Sequence, residues 1–531
     1  MASPQKLPIG IQAFETIREN NYLYVDKTQY VHRLVDEGMF YFFARPRRFG
    51  KSLLVSTLKC LFQGKKSLFE GLWIAKHTAW EWKKYPVLII DFNELTHDTP
   101  EHLQLDLERH LLKTARMWKI HLEAPLLKGK LGELVFCLHQ KTRMPVVILI
   151  DEYDKPIIDH LGKGEEALKI ARKNRDILRS FLGTLKGTEI SPLLRFVFIT
   201  GVSRFSRVSI FSELNNLDDI TMNETYAGML GYVPQEIEHH FQSHMAALAQ
   251  KHGISPDEVC AILKKQYDGY RFSDDETRVY NPFSTLSALK HKNFKSYWFE
   301  TGPPAFLVNL LREKQYDLPE IENMEADEQV FSTYDIDNLQ AEALLFQTGY
   351  VTIKAVENGL YTFGYPNQEV RNAFLKHLLL SFMQEDGGTA NSKFLRLSAY
   401  LRQENFDAFF ETITAIFAAI PYTLNTQRDE AYFHTLFYLM VSASGADAEN
   451  EVLTSRGRID LVVEFSDKVF LMEFKCNQCA KAGIKQIQQK GYAEKFRQSG
   501  KKLILMGINF SSEKRNLAEW KIATDMDERK E

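Results

Sequence analysis

Arg45-Pro46-Arg47-Arg48-Phe49-Gly50-Lys51-Ser52-Leu53-Leu54 follows the apolar run Met39 to Ala44 and precedes a helical pattern, Leu53 to Phe62. A strand, a short turn ending in Gly-Lys-Ser and then a helix form a phosphate-binding layout, with backbone N–H groups and a helix N-terminus facing the anion. On this reading Gly50 lets the backbone come close, Lys51 reaches the β- and γ-phosphates and Ser52 holds Mg²⁺. Arg47, Arg48, Phe49 and Leu53 complete the nucleotide-contacting stretch. The general pattern G-x-x-x-x-G-K-[ST] asks for a first glycine where this chain has Arg45. The loop therefore needs support from elsewhere in the chain.

That support comes from Pro145-Val-Val-Ile-Leu-Ile-Asp151-Glu152-Tyr-Asp154. Its apolar residues do not alternate, as expected of a parallel strand covered on both faces, and it ends in adjacent carboxylates. At such a strand end Asp151 takes Mg²⁺ and Glu152 polarises the water that attacks a γ-phosphate. The run Arg195-Phe-Val-Phe-Ile-Thr200-Gly reads as another buried strand, and Thr200 and Arg204 follow as candidates for sensing the phosphate or stabilising transferred charge. Tyr85 to Asn93 reads as one more strand and Glu101 to Ile120 as a long helix. Strand-helix alternation over residues 39 to 220 predicts a doubly wound α/β domain, residues 1–220, with ligands at the carboxyl ends of its strands.

The 531 residues exceed one ordinary core, and roughly two to four domains are expected. Hydrophobic content of 44% with 25% charged residues indicates a folded, soluble chain. A formal net charge of −3 excludes global attraction to nucleic acid, so contact with a polyanion needs local basic patches. Five scattered cysteines fit a reducing compartment, and Cys476-Asn-Gln-Cys479 has no second pair at zinc-finger spacing. No apolar run approaches the roughly 20 residues of a membrane span. The cytoplasm is the expected location, with no membrane partner.

Residues 1 to 38, taken alone, read as surface packing. From 221 to 385 the pattern predicts a mostly helical middle region with a hairpin over Gly349 to Gly364 of winged-helix character. The aromatic turns Tyr267-Asp-Gly-Tyr-Arg-Phe272, Val279-Tyr-Asn-Pro-Phe283 and Leu345-Phe-Gln-Thr-Gly-Tyr350 favour packing over chemistry. Gln384 to Ser392 is polar and glycine-containing and is the linker candidate.

Residues 386–531 carry a second chemical signal. Arg458-Ile-Asp460-Leu-Val-Val-Glu-Phe465 and Lys468-Val-Phe-Leu-Met-Glu473-Phe-Lys475 read as the strands of a hairpin. Glu473 and Lys475 share a strand face, and Asp460 can lie beside them. Paired carboxylates that hold a divalent metal, with a lysine beside them to orient water, suit phosphodiester hydrolysis, whereas a simple buried ion pair is the bland reading. Helix Arg428 to Ser442 places Glu430 about a turn before His434. A helix is expected over Ala480 to Arg497, and between Lys481 and Lys502 seven basic residues and one acidic residue give a local net of +6. Beside a metal site this run makes a phosphate-tracking surface; by itself it is a solvated face.

Assembled, these residues resemble the bacterial AAA-ATPase-like proteins with a C-terminal PD-(D/E)XK nuclease domain. The likeness runs through Leu7-Pro-Ile-Gly, Tyr24-Val-Asp-Lys27, the Arg45 to Ser52 loop, Asp151-Glu-Tyr-Asp-Lys-Pro156 and Ile199-Thr-Gly-Val-Ser-Arg204. It continues through Tyr267-Asp-Gly-Tyr270, Tyr280-Asn-Pro282, Gly349-Tyr, Gly364-Tyr-Pro-Asn367, Gly457-Arg-Ile-Asp460 and Glu473-Phe-Lys475. The resemblance implies that Arg45 at the loop's first position is a family trait. It implies an ATP-binding domain with Mg²⁺ (or Mn²⁺), in which Lys51, Ser52, Asp151 and Glu152 act as above. It further implies Asp460 and Glu473 as metal carboxylates, Lys475 as the motif lysine and Glu430 as an additional acidic residue. Gln488 with Tyr492 fits a Gln-x-x-x-Tyr arrangement, and Gln486 can take that part instead. The expected activity is ATP hydrolysis coupled to cleavage of nucleic acid, DNA rather than RNA. The competing expectation is a nucleotide-dependent switch or scaffold that binds without cutting. Related ATPases complete their sites with a neighbour's arginine, which leaves a homo-oligomer open.

Overall fold

The computed structural model describes residues 4–203, 214, 216–298, 307, 321, 324–331, 340–383, 387–419 and 430–524. The chain divides into two compact units, one of Met1–Lys314 with Ile321–Val370 and one containing Arg371–Glu531.

In the first unit the strands β1 (Phe40–Ala44), β2 (Val87–Asp91), β3 (Val146–Asp151), β4 (Leu194–Gly201) and β5 (Asp218–Asp219) form one sheet in the order β2-β3-β4-β1-β5. Every ladder in it is parallel. β1 and β3 are buried at every position, because helices cover both faces of such a sheet and leave no polar side for the strands to alternate toward. Parallel strands share one carboxyl edge. That edge therefore collects the Arg45 loop after β1, Asp91 at the end of β2, Asp151-Glu152 at the end of β3 and Thr200 near the end of β4.

The helix after the loop starts at Lys51, two residues before the expected Leu53, and runs to Phe62. Pro100–Met117 realises the expected long helix, with Thr99 capping His102 N–H and a proline in the first turn. In the middle region the helices are joined by an antiparallel sheet of β6 (Glu325–Asp327), β7 (Thr352–Glu357) and β8 (Leu360–Gly364), in the order β6-β8-β7. The linker reading of Gln384 to Ser392 does not hold for its described part, since a helix runs over Gly387–Arg402. Residues 384–386 lie outside the described residues.

The second unit is built on the sheet β13-β12-β11-β10-β9, formed by β9 (Asp447–Thr454), β10 (Gly457–Glu464), β11 (Lys468–Cys476), β12 (Lys502–Ser511) and β13 (Asn516–Thr524). The β11–β12 ladder is parallel and the others antiparallel. Along β11 successive side chains alternate faces. Phe470 and Phe474 meet aromatic residues of helices Phe406–Ala419 and Glu430–Ala443, while Val469 and Leu471 pack with Ile484 and Ile487 of helix Ala480–Gln489. Glu473 and Lys475 share the parity of Val469 and Leu471. The expected helix to Arg497 is shorter, because the chain turns at Lys490-Gly491 and continues in two short 3₁₀ turns. Among the described residues, no helix is long and apolar enough to cross a membrane.

Candidate functional sites

The loop after β1 is held by its neighbours rather than by glycine. Arg45, almost fully buried, lies between the rings of Phe43 and Phe272, 4.3 Å from each centroid, and donates through Nη1 to the carbonyls of Ala44 and Thr221. Burial lowers its guanidinium pKa to about 9. Phe49 sets its ring edge-on to Tyr270 and Phe272, and Arg48 lies over Phe283. The carbonyl of Arg47 accepts from Trp298 Nε1 at 3.3 Å. Gly349, at φ +84°, brings its backbone against Pro46, where an added Cβ would meet the proline ring at 2.8 Å. The aromatic turns of the middle region thus brace the loop, which gives their packing role a functional target.

Gly50 takes a left-handed conformation at φ +97° and opens the helix. Lys51 is buried, with Nζ donating to the carbonyls of Arg45 and Pro46 and lying 3.3 Å from Glu152 Oε1. Asp151 is 2% exposed, with Oδ1 unpartnered among the described residues. Burial pushes its carboxyl up to about 6, and the hydrogen bond with Ser52 opposes that rise. Ser52 beside a buried carboxylate with a spare oxygen fits a divalent cation, since such an ion supplies the missing partner and favours the ionised acid. Glu152 has φ +52°, a conformation rare for a residue with a side chain. Asp154 is buried, accepts the N–H groups of Val202 and Ser203 through Oδ2, and ties the end of β3 to that of β4.

Gly50, Lys51, Ser52, Glu152 and Asp154 border a cleft of about 540 Å³, within the range of small-molecule sites, whereas Asp151 and Phe49 are not among its lining residues. Arg47, Arg48, Gly50, Lys51, Ser52, Leu53 and Glu152 line it. Thr200 does not: its hydroxyl is buried and donates to Phe43 O at 2.7 Å, a bond that joins β4 to β1. Arg204 lies outside the described residues. Sequence reasoning missed Asp91, Asn93, Asp154 and Lys155 on the polar side of the cleft and Tyr232 and Phe283 on the apolar side. It also read Pro8 to Gln12 as surface packing, whereas all five residues line the cleft.

The second unit holds a separate polar cluster in an apolar sheet. The ladder register Leu461↔Met472 sets Asp460 opposite Glu473 at the next step. There the backbone pairing stops, because Asp460 Oδ2 accepts the Phe474 N–H at 2.8 Å in place of a carbonyl. The carboxylate thereby spreads β10 from β11 at the point where it is needed. His434 bonds the Asp460 carbonyl at 2.9 Å from the neighbouring helix. Glu473 is 1% exposed; Oε1 takes Lys475 Nζ at 3.5 Å and Gln486 Nε2, while Oε2 has no partner among the described residues. Burial first, and then the charge of Asp460, push the Glu473 carboxyl up to about 8.

Helix Ala480–Gln489 can reach Glu473 because Gly483 and Gly507 let the backbones close up; a Cβ on Gly507 would lie 2.0 Å from Ala480 O. Gln486 is therefore the glutamine at the site. Gln488, two residues on and about 200° round the helix, is exposed and points away. Tyr492 is buried, with its hydroxyl 2.6 Å from where a Cβ on Gly457 would stand. Glu430 receives the Cys476 N–H at 3.1 Å and lies 3.9 Å from Lys475 Nζ. Among the described residues, no three His, Cys, Asp or Glu side chains converge as a metal cage. Two carboxylates, one with an unsatisfied buried oxygen, still fit a divalent ion that keeps most of its ligands as water and phosphate oxygens.

Comparison with known proteins agrees with this division. A family model described as a predicted AAA-ATPase matches residues 8–211. One for the PD-(D/E)XK nuclease superfamily matches residues 428–520. A relative from Azotobacter chroococcum mcd 1, described as "Uncharacterized protein in vnfD 5'region", is 37% identical over 527 residues, covering 97% of this chain and 98% of that protein.

Proposed function

Since the chain belongs to the AAA-ATPase-like proteins that end in a PD-(D/E)XK nuclease superfamily domain, both of enzyme type, we propose that it hydrolyses ATP and cleaves DNA. In the first unit Lys51 and the backbone of the Gly50 turn would hold the phosphates, with Arg47 and Arg48 at the rim. Ser52 and Asp151 would hold Mg²⁺, whose chemistry is neutralisation of the phosphate charge. Glu152 and the other carboxylates of the cleft are the groups available to orient water.

In the second unit Asp460 and Glu473 would hold Mg²⁺ or Mn²⁺, which lowers the charge barrier at a phosphodiester. Lys475 places a fixed ammonium beside the reacting phosphate and steadies negative charge on it. Gln486 fixes the rotamer of Glu473 and Glu430 limits the swing of Lys475. The observation that carries the reading is the buried, unpartnered Oε2 of Glu473 beside Lys475 and opposite Asp460. A structural ion pair does not require that vacant acceptor.

Nucleotide turnover would control the nuclease, DNA would be preferred to RNA, and the cytoplasm would be the working compartment, in keeping with five cysteines free of disulfides. The test is cleavage of plasmid, linear DNA and RNA by purified protein with Mg²⁺ or Mn²⁺, with and without ATP. Metal-dependent cutting of DNA lost in Asp460→Ala and Lys475→Ala supports the proposal. Binding without cutting by the wild type would select the switch or scaffold reading.

A further inference from the structure

The ladder between β10 and β11 ends at the pair Leu461 and Met472. Each strand nevertheless runs on, β10 paired with β9 back to Gly457 and β11 paired with β12 out to Cys476. A wedge therefore opens between two strands that are both fixed on their outer sides, with Asp460 on one lip and Glu473 on the other. Backbone groups that face into such a wedge need new partners, since a buried donor or acceptor left unpaired costs about 1–3 kcal/mol. Side chains supply three of them. Asp460 Oδ2 takes the Phe474 N–H at 2.8 Å. The other two come from one helix, Glu430–Ala443: Glu430 Oε2 takes the Cys476 N–H of β11 at 3.1 Å, and His434 Nε2 bonds the Asp460 carbonyl of β10 at 2.9 Å. Glu430 and His434 stand four residues apart and so share a helix face. A carbonyl only accepts, so His434 carries a proton on Nε2 and donates it to this bond. Its ring also packs on Phe474, with 4.9 Å between centroids.

We infer that His434 is a positioning residue for the two metal carboxylates, acting through the backbone of Asp460. The inference rests on the nuclease reading of this cluster. One face of one helix reaches both lips of the wedge, β11 through Glu430 and β10 through His434, and so fixes how far apart they stand. Asp460 is held twice, by its carbonyl on His434 and by Oδ2 on the Phe474 N–H. Without the His434 donor its peptide is free to turn and takes the carboxylate with it, so that Asp460 and Glu473 no longer meet one ion. What the site requires of residue 434 is an N–H donor at that point, beyond the ring that packs on Phe474.

The experiment titrates Mn²⁺ into full-length wild type, His434→Phe, His434→Leu, His434→Gln and Asp460→Asn, and follows both the melting temperature and plasmid nicking. Asp460→Asn marks the part of the Mn²⁺ response that belongs to this site. His434→Phe keeps a ring against Phe474 but has no donor. It is expected to raise the Mn²⁺ concentration for half the response about 10- to 100-fold in both readouts, the usual loss when a group that orients a metal ligand is removed. Nicking at saturating Mn²⁺ should recover most of the wild-type rate. His434→Leu, also without a donor, repeats the comparison in a second shape should the phenylalanine fold poorly. His434→Gln can set an amide N–H where Nε2 stands and is expected to bring the midpoint back toward that of the wild type. An unchanged midpoint in the donor-less variants overturns the inference, as does an equal shift in His434→Gln, which assigns the effect to packing. A wild type that neither nicks DNA nor shows a Mn²⁺ response dependent on Asp460 overturns the nuclease reading and this inference together.

Discussion

Lys51 Nζ lies 3.3 Å from Glu152 Oε1 while also donating to the carbonyls of Arg45 and Pro46. The lysine proposed to meet phosphate is thus already oriented, with its charge balanced by a carboxylate of the same cleft. Lys51→Ala removes a charge-assisted contact of about 1.5–3 kcal/mol and should weaken ATP binding about 10- to 100-fold. Calorimetric titration of ATP into the two proteins reads the loss. Unchanged affinity would remove Lys51 from the phosphate site.

The brace on the loop is open to a distal test. Gly349→Ala puts a Cβ against Pro46 at a backbone angle that alanine rarely adopts, at a cost of about 1–3 kcal/mol. A lower melting temperature is expected, together with weaker ATP binding, although residue 349 is not among those that line the cleft. A stability loss with normal affinity would show that the loop keeps its shape without this contact.

Cleavage should follow the three residues set around Glu473, namely Asp460, Lys475 and Gln486. Lys475→Ala and Asp460→Asn are expected to reduce DNA cutting about 100-fold or more. Gln486→Ala, which frees Glu473 to turn, should cost about tenfold, and the exposed Gln488→Ala nothing measurable. Plasmid nicking at fixed Mn²⁺ ranks the four. A larger effect at Gln488 than at Gln486 would contradict the geometry.

Chelation gives an independent reading. EDTA is expected to stop cleavage, and returning Mn²⁺ should raise the melting temperature of the wild type more than that of Asp460→Asn, because an ion bound only by the folded site stabilises it. An equal rise in both proteins would place the ion elsewhere.

Acid stability should report on the ion pair that holds Lys155, a residue lining the cleft. Burial raises the pKa of Asp159, but hydrogen bonds from His97 at 3.0 Å and Lys155 at 2.9 Å outweigh it and hold the carboxyl well below the usual range. A depressed pKa contributes stability that is present above the unfolded value of about 3.9 and is lost as pH falls through the folded value. Asp159→Asn should therefore destabilise the protein at neutral pH and flatten its stability profile at acid pH. Parallel denaturation curves at pH 7 and pH 3 decide the point.

Much of the fold was readable because buried parallel strands leave uninterrupted apolar runs: β1, β3 and β4 stand out as Phe40–Ala44, Val146–Asp151 and Leu194–Gly201. The hairpin carrying Asp460 and Glu473 was equally plain, since charges inside apolar strands call for a reason. Other features depend on distances that no local pattern carries. Gln486 and Gln488 are equally good candidates until the close approach of Gly483 to the strand fixes which side of the helix faces Glu473. Thr200 sits at the expected strand end, yet a hydroxyl there can serve the neighbouring strand as well as a ligand, and it serves Phe43. Asp91 was hidden although its strand was read, because its carboxylate gains meaning only from the register that sets it beside Asp151. The Pro8 to Gln12 wall belongs to a segment some 40 residues ahead of the loop it faces.

Arg45→Gly would spell the stretch Gly-Pro-Arg-Arg-Phe-Gly-Lys-Ser and complete the general phosphate-loop pattern letter for letter. The corrected spelling would ruin the word. The gap between Phe43 and Phe272 would empty, the Thr221 carbonyl would lose its donor, and large-to-small losses of this kind cost about 2–5 kcal/mol. That single substitution therefore completes the pattern while removing the side chain that holds this loop. The first letter of the motif is tied by packing to an aromatic turn more than 200 residues later.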